Sequence, residues 1–367
     1  MSLKAGIIGL PNVGKSTLFN AITSSNVEAS NYPFATINPN TGVVEVKDIR
    51  IDNMIPLYNP KKVVRATFEF CDIAGLVKGA SKGEGLGNKF LANIREVDAI
   101  CHVVRCFESN EIVHVEGSVN ALRDVEIINL ELVFADLDVV EKRLAKIEKK
   151  AQTSKDKDAL FEVNILNKFI AALTEGKRAN TVDLSKEELL YAKSFNLLTL
   201  KPLIYVANMA ESEINDPTTN KNYNDLCELA KSEGTTVVPV SAQIEADLAS
   251  LDEEEKKMFL EDLGVQYSGL EMLTRAAYSL LGLETYFTAG TDELKAWTFR
   301  TGMKAPECAG IIHSDFERGF IKAEVYTYED IMEFKNEVKV RENGKLRVEG
   351  KEYVVKDGDI MYFRFNV

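Results

Sequence analysis

Five apolar runs of strand length are spaced through the first 240 residues: Lys4–Leu10, Ala66–Cys71, Asp98–Arg105, Lys201–Ala207 and Thr235–Val240. Apolar runs of about four to eight residues between turn-formers read as buried strands. A helical pattern, Thr17-Leu-Phe-Asn-Ala-Ile22, follows the first run. Together these predict an α/β domain on a mixed β-sheet. The period changes after Val125. Leu130, Val133, Leu137, Val140, Leu144 and Ile147 step by 3, 4, 3, 4 and 3, and Val163, Leu166, Ile170 and Leu173 step by 3, 4 and 3. Two such helices, joined by Lys149–Asp158, predict an antiparallel coiled-coil hairpin. It interrupts the first domain between its third and fourth strands. Beyond Leu283 the strand signals shorten to Leu294–Phe299, Phe320–Tyr326, Tyr353–Val355 and Asp359–Phe365, which predicts a small α+β domain. The expected organisation is a first domain of residues 1–124 and 199–282, a helical insertion of 125–198 and a C-terminal domain of 283–367.

Composition narrows the class. At about 150 residues per domain, 367 residues fit two to three domains. Apolar residues at 45% exclude a disordered chain. No apolar run reaches the roughly 18 residues of a membrane helix, and Ala5–Leu10 is too short for a signal-peptide core. A cytoplasmic monomer without a membrane partner is expected. The five cysteines include no Cys-x-x-Cys pair, so neither structural disulfides nor a structural zinc site is expected. With 44 Lys and Arg against 57 Asp and Glu, the net charge of −13 argues against a protein that coats nucleic acid, and DNA is not an expected partner. The segment 141–157 runs the other way, with seven basic residues against three acidic ones. The hairpin tip is therefore a candidate RNA contact. A solvated helix end reads equally well.

The first apolar run leads into Gly9-Leu-Pro-Asn-Val-Gly-Lys-Ser16, and a helix follows. Strand, glycine loop and helix form the context of a phosphate-binding loop. Gly9 and Gly14 let the backbone turn its N–H groups inward toward a β-phosphate. Lys15 is a mobile charge for the β- and γ-phosphate oxygens, and the Ser16 hydroxyl suits Mg²⁺. Residues Asn12, Val13, Gly14, Lys15, Ser16 and Thr17 are the candidate phosphate-binding set. A second element ends the strand at Ala66–Cys71: Asp72-Ile-Ala-Gly75. Asp72 would hold Mg²⁺ through its water shell, and the Gly75 N–H would sense the γ-phosphate. Between them, the Pro- and Asn-rich loop of residues 31–41 offers Thr36 and Thr41 as a threonine that closes on Mg²⁺, with Thr36 favoured.

Base preference is written after the fourth run, at Asn208-Met-Ala-Glu211. Guanine-specific switches carry Asn-Lys-x-Asp there, and the Asp accepts from both guanine donors. Here the acid is Glu211 and the lysine is Met209. Asn208 could accept from the adenine amine and Met209 could pack on the ring. ATP is therefore expected over GTP. Ser241-Ala-Gln243 matches a second base-contacting loop.

On these residues, namely 9–16, 72–80, 208–211 and the run from Phe287 to Val325, the chain resembles the Obg-like ATPase family, also called YchF. The resemblance extends over residues 1–367. It implies ATP hydrolysis on a GTPase scaffold, a helical insertion, a C-terminal TGS domain of β-grasp fold, and links to the ribosome and to stress responses. Leu76 stands where many relatives carry a water-orienting Gln. The resemblance implies a mobile histidine in its place, here His114. It also implies that Asn12 can ligate K⁺. Lys15 and His114 are thus the candidate catalytic residues. The glycine-rich stretch Val77–Asn88 reads as a switch that orders with ATP. His313, Asp315 and Arg318 are expected to serve loop or packing roles. Two other functions stay open: a GTP-specific translation or ribosome-assembly GTPase, and a nucleotide-binding scaffold with incidental hydrolysis.

Overall fold

A computed structural model describes residues 3–24, 40–73, 86–154 and 156–366. The expected switch residues Thr36, Gly75 and Leu76, and the glycine-rich stretch up to residue 85, lie outside the described residues. In chain order the strands are β1 Lys4–Ile8, β2 Thr41–Glu45, β3 Lys62–Val64, β4 Thr67–Asp72, β5 Ala99–Arg105, β6 Leu203–Asn208, β7 Val237–Val240, β8 Leu283–Ala289, β9 Glu293–Arg300, β10 Phe320–Thr327, β11 Arg347–Glu349 and β12 Asp359–Phe365. The longer helices are α1 Lys15–Ser24, α2 Ile49–Tyr58, α3 Leu86–Arg95, α4 Ala121–Ser154, α5 Lys157–Thr174, α6 Lys186–Ala192, α7 Lys221–Glu233, α8 Ala242–Leu248, α9 Glu253–Asp262, α10 Gly269–Leu280 and α11 Ala305–Ile312.

The chain divides into two units, and the first gathers the described residues of 1–25, 37–42 and 69–273. Its sheet has the order β2-β4-β1-β5-β6-β7. β1 pairs in parallel with β4 and β5, and β6 pairs in parallel with β5 and β7. Every residue of β5 and β6 is buried, as expected of strands covered on both faces. That explains why they read as continuous apolar runs. Parallel pairing also sends the loops after β1, β5, β6 and β7 to one edge, the usual ligand-binding edge of such sheets.

The insertion is also in this unit. The expected seam on α4 packs through Val133, Leu137, Val140, Leu144 and Ile147 against Ile165, Leu166, Phe169 and Leu173 of α5. A third layer joins them: Ala192, Phe195 and Leu197 lie in the same core. The expected connector is mostly helix, since α4 runs to Ser154 and α5 starts at Lys157. Asp156 caps α5 by accepting from the N–H groups of Asp158 and Ala159. At the tip, Arg143 pairs with Glu162 at 2.5 Å and Lys150 with Asp156 at 2.9 Å, which draws down the local positive excess.

The second unit gathers residues 43–68 with 274–366. The sequence reading placed 43–68 with the first domain. Apart from the residues of β2 and β4, which stay in the first sheet, they pack with elements distant in sequence. β3 runs parallel to β9, Arg50 reaches Asp357 at 2.6 Å, and the hydroxyls of Tyr58 and Tyr326 lie 2.6 Å apart. The sheet order is β11-β10-β12-β8-β9-β3, around a core that includes Tyr286, Phe299, Cys308 and Met361. The expected strand at Tyr353–Val355 makes only an isolated bridge, because Val355 turns into this core instead of joining a ladder. Its place is taken by β11. His313, Asp315 and Arg318 shape one short exposed helix: His313 Nδ1 accepts from the Asp315 N–H at 3.2 Å, and Arg318 pairs with Asp315 at 2.5 Å.

One buried carboxylate fastens the insertion. Asp136 on α4 accepts from the backbone N–H groups of Leu198 and Thr199, each at 2.8 Å, and from the Thr199 hydroxyl at 2.6 Å. Burial pushes its pKa up, and these three donors pull it back. Asp136→Ala strands two buried N–H groups, so a loss of about 3 kcal/mol in unfolding free energy is expected in urea titrations. Asp136→Asn, which keeps one good acceptor, should lose less.

Candidate functional site

β1 stops at Ile8 and the chain turns through Gly9–Gly14 before α1 begins at Lys15. A Cβ on Gly9 would press on the Val103 carbonyl, so only glycine lets the loop lie against β5. Asn12 (φ 62°) and Gly14 (φ 90°) take left-handed backbone. A side chain on Gly14 would also collide with the Asn208 carboxamide. Lys15 is buried, and its Nζ lies 2.5 Å from Asp72 Oδ1, while Ser16 and Thr17 are exposed.

These residues open onto a cavity of about 680 Å³. Four segments line it: Leu10–Asn12 with Gly14–Thr17, then Phe107 with Ile112, then Asn208–Glu211, then Ser241–Gln243. The candidate residues Asn12, Gly14, Lys15, Ser16, Thr17, Asn208, Met209, Glu211, Ser241, Ala242 and Gln243 thus meet in one place. Val13 is the exception: its side chain is buried and its carbonyl is a hydrogen-bond acceptor. Thr41, the second candidate threonine, opens β2 with its hydroxyl 3.8 Å from Cys71 Sγ. Phe107, Ile112 and Ala210 escaped the sequence reading. A signal existed for the first two, because the apolar strand β5 ends in an arginine, and that arginine is buried.

Asn208 differs from expectation. Its Nδ2 donates to the Val13 carbonyl at 2.8 Å, and its Oδ1 accepts from the Ala242 N–H at 3.0 Å. Both ends of a buried carboxamide must find partners, and here two loops supply them. The side chain therefore braces the site, and its oxygen is already engaged where an adenine amine was expected to donate. Met209, Ala210 and Glu211 remain as the cavity's lining beyond it.

His114 also differs. It was expected in a polar, mobile segment, yet it is only 6% exposed and lies outside the cavity lining. Its Nε2 is 2.8 Å from Asp124 Oδ2, and its Nδ1 accepts from the Glu116 N–H at 3.1 Å. The second bond places the neutral ring's proton on Nε2, so the ring donates to Asp124. Arg123 holds the other Asp124 oxygen at 2.9 Å. One residue before His114, the Val113 carbonyl accepts from Asn12 Nδ2 at 3.1 Å.

The donor set fits a hard cation. The Ser16 hydroxyl and the Asp72 carboxylate are oxygen donors of the kind Mg²⁺ takes, and Lys15 pairs with Asp72 beside them.

Fold and cavity define the class as a P-loop nucleotide-binding domain of the GTPase type. The family model for 50S ribosome-binding GTPases matches residues 4–136, and a C-terminal YchF-GTPase model, described as a protein of unknown function (DUF933), matches residues 283–366. The ribosome-binding ATPase YchF of Bacillus subtilis is 58% identical over the full length of both chains, and that of Escherichia coli O157:H7 is 52% identical, again over both full lengths. The solved structure of the Schizosaccharomyces pombe YchF GTPase superposes with a TM-score of 0.90 at 42% identity, covering 99% of this chain and 98% of that one. A GTP-binding protein from Pyrococcus horikoshii, at 19% identity and TM-score 0.62 over 99% of this chain and 100% of that one, shares the fold. The chain belongs to the YchF family. Among the described residues, no helix is long and apolar enough to cross a membrane.

Glu245 lies one turn beyond the cavity-lining residues of α8. It is 4% exposed and accepts from the Gly269 N–H at 2.7 Å, at the start of α10. Burial pushes its pKa up to about 7, against the pull of the Gly269 and Leu270 N–H groups and the Ser268 hydroxyl. A raised carboxyl pKa means the folded state binds the proton more tightly than the unfolded chain. Its contribution is therefore greatest below the unfolded value and fades as pH rises through 7. Glu245→Gln keeps the acceptor and removes the charge. Between pH 5 and pH 8 the unfolding free energy of Glu245→Gln should gain on the parent by about 2–3 kcal/mol. A gap that stays flat with pH would contradict this.

Proposed function

We propose that this protein is a Mg²⁺-dependent ATP hydrolase that acts as a nucleotide-operated switch on the ribosome. One observation carries the reading: a single cavity joins a complete phosphate-binding loop to Met209 and Glu211, where a guanine-specific site needs Lys and Asp. Glu211 is one methylene too long for the Asp geometry on guanine, and Met209 offers a soft apolar surface to the ring. At the other end Lys15 meets the β- and γ-phosphates. Ser16 would hold Mg²⁺ directly and Asp72 through its water shell, with Thr36 as a further expected ligand. Lys15 and Asp72 pair with each other, and each would turn to a phosphate or to the metal when these bind. Gly75 and Leu76 belong to the switch. Asn12 offers its side-chain oxygen to K⁺.

The names of its close relatives support the ribosome as partner and the cytoplasm as location. The basic hairpin tip is the surface offered to RNA, and a monomer suffices for the task. We assign the nucleotide-binding domain, the helical insertion and the C-terminal domain to nucleotide binding, ribosome contact and partner contact respectively.

Leu76 has no polar atom to orient water, so hydrolysis falls to His114. That residue must first leave Asp124 and the Glu116 N–H, which makes the unstimulated reaction slow. The Schizosaccharomyces pombe relative is titled a GTPase, and this keeps a GTP-specific switch as the second reading.

Direct titration with Mg²⁺ should show ATP bound at least about tenfold tighter than GTP. The reverse order would establish the second reading. His114→Ala should lower kcat by about tenfold to a hundredfold with the ATP dissociation constant unchanged. An unchanged kcat would remove His114 from the mechanism.

A further inference from the structure

The segment that follows β5 lines the cavity at two residues, Phe107 and Ile112, and both are gripped by the same buried side chain. Arg105, the last residue of β5, is 1% exposed. Its Nε donates to the Phe107 carbonyl at 3.1 Å, and its Nη1 donates to the Ile112 carbonyl at 3.0 Å. The guanidinium carbon lies 4.4 Å from the centre of the Phe107 ring. Among the described residues, no carboxylate pairs with Arg105. A buried cation is normally held by an anion, because desolvation is otherwise costly. Here two carbonyl dipoles and a ring quadrupole take that role.

Position tells which end of the cavity this wall serves. Arg105 is in register with Asn208, and the Cys106 N–H donates to the Asn208 carbonyl at 2.8 Å. The chain therefore leaves β5 beside Asn208, the first of the expected base-reading residues Asn208, Met209 and Glu211. Ser109 tightens the turn between the two gripped residues, since its hydroxyl accepts from the Glu111 and Ile112 N–H groups. The next residue, Val113, is tied to Asn12 of the phosphate loop.

We propose that Arg105 is a positioning residue for the nucleotide base: it holds residues 107–112 as a fixed wall and makes no contact with the ligand itself. The proposal rests on the nucleotide reading above. A preformed wall spares the ligand the cost of ordering a loop on binding, so the benefit appears only for ligands that carry a base. The fork geometry is needed. A lysine is a single point charge and cannot serve both carbonyls in this arrangement.

The test uses full-length protein and two probes with Mg²⁺, ATP and base-free inorganic tripolyphosphate. Arg105→Met should weaken ATP by about tenfold or more and leave tripolyphosphate unchanged within about twofold. Arg105→Lys should fall between Arg105→Met and the parent. In a Phe107→Ala background, Arg105→Met should cost little more, because the two act as one unit. Equal losses for both probes, an unchanged ATP affinity, or additive losses with Phe107→Ala would each overturn the proposal. Should Arg105→Met fail to fold, Arg105→Lys carries the same comparison, with a loss of about threefold or more expected for ATP alone. If the parent prefers GTP, the ATP reading fails by itself, and the Arg105 comparison is made with GTP against tripolyphosphate.

Discussion

A single carboxamide holds the nucleotide cavity in shape. Asn208 gives its N–H to the Val13 carbonyl of the phosphate loop and takes the Ala242 N–H of the loop after β7. Those loops lie about 200 residues and 30 residues away in sequence. The arrangement works only because several neighbours yield space to it. Gly14 has no side chain to displace the carboxamide, and parallel pairing of β5, β6 and β7 brings the three loops to the same edge. Removing either bond would strand a backbone group in a buried place, which costs more than the bond contributes. An asparagine at this place is thus explained by the fold before any ligand is considered.

Charge around the cavity is handled in two ways. Lys15 is buried against Asp72, and in the proposed mechanism phosphates and a metal would offer each a stronger partner. Arg105 is buried against two carbonyls and a ring, and among the described residues no carboxylate pairs with it. The first is a pair that can open, and the second is a fixed strut. The contrast follows from side-chain chemistry: an ammonium on a flexible stem re-pairs easily, whereas a planar fork that bonds two carbonyls at once does not. Mobile and rigid parts of the site are in this way distinguished by residue type.

Local signals in the sequence were the reliable ones. The strand-loop-helix at Lys4–Ile22, the apolar runs of β4 to β7 and the seam of α4 can each be read from a few neighbouring residues, and each stands in the structure. What escaped was non-local. Residues 43–68 carry no strong period, and they join the C-terminal unit through a short parallel pairing and an Arg50–Asp357 bridge that no window of sequence contains. Tyr353–Val355 has the composition of a strand, but its valine is drawn into the core. In the site, the residue types of the motifs were legible because phosphate chemistry restricts them. The engagement of Asn208 and the burial of His114 were not, because both depend on which backbone groups the fold leaves without partners. Phe107 fell between the two cases. It is an ordinary aromatic residue in sequence, and its importance comes from the buried arginine two residues before it.

The position of His114 bears on how such a site would be regulated. In the proposed mechanism Leu76 supplies no polar atom to orient water, so a polar group must come from elsewhere for hydrolysis. The nearest candidate in the proposed mechanism has both ring nitrogens engaged, one by Asp124 and one by the Glu116 N–H. Asp124 is itself steadied by Arg123, so the imidazole sits in a satisfied, buried arrangement. Leaving it breaks two hydrogen bonds, and a penalty of about 2–3 kcal/mol would reduce the competent population by about 30-fold to 150-fold. An external partner could remove that penalty by moving the segment, and the exposed Val113 and Val115 on either side of His114 give it something to grip. The same segment is anchored to the phosphate loop through Asn12 and to β5 through Arg105. A partner that moved this strap would therefore act on the nucleotide site through the wall beside Asn208, which is the property a partner-controlled switch requires.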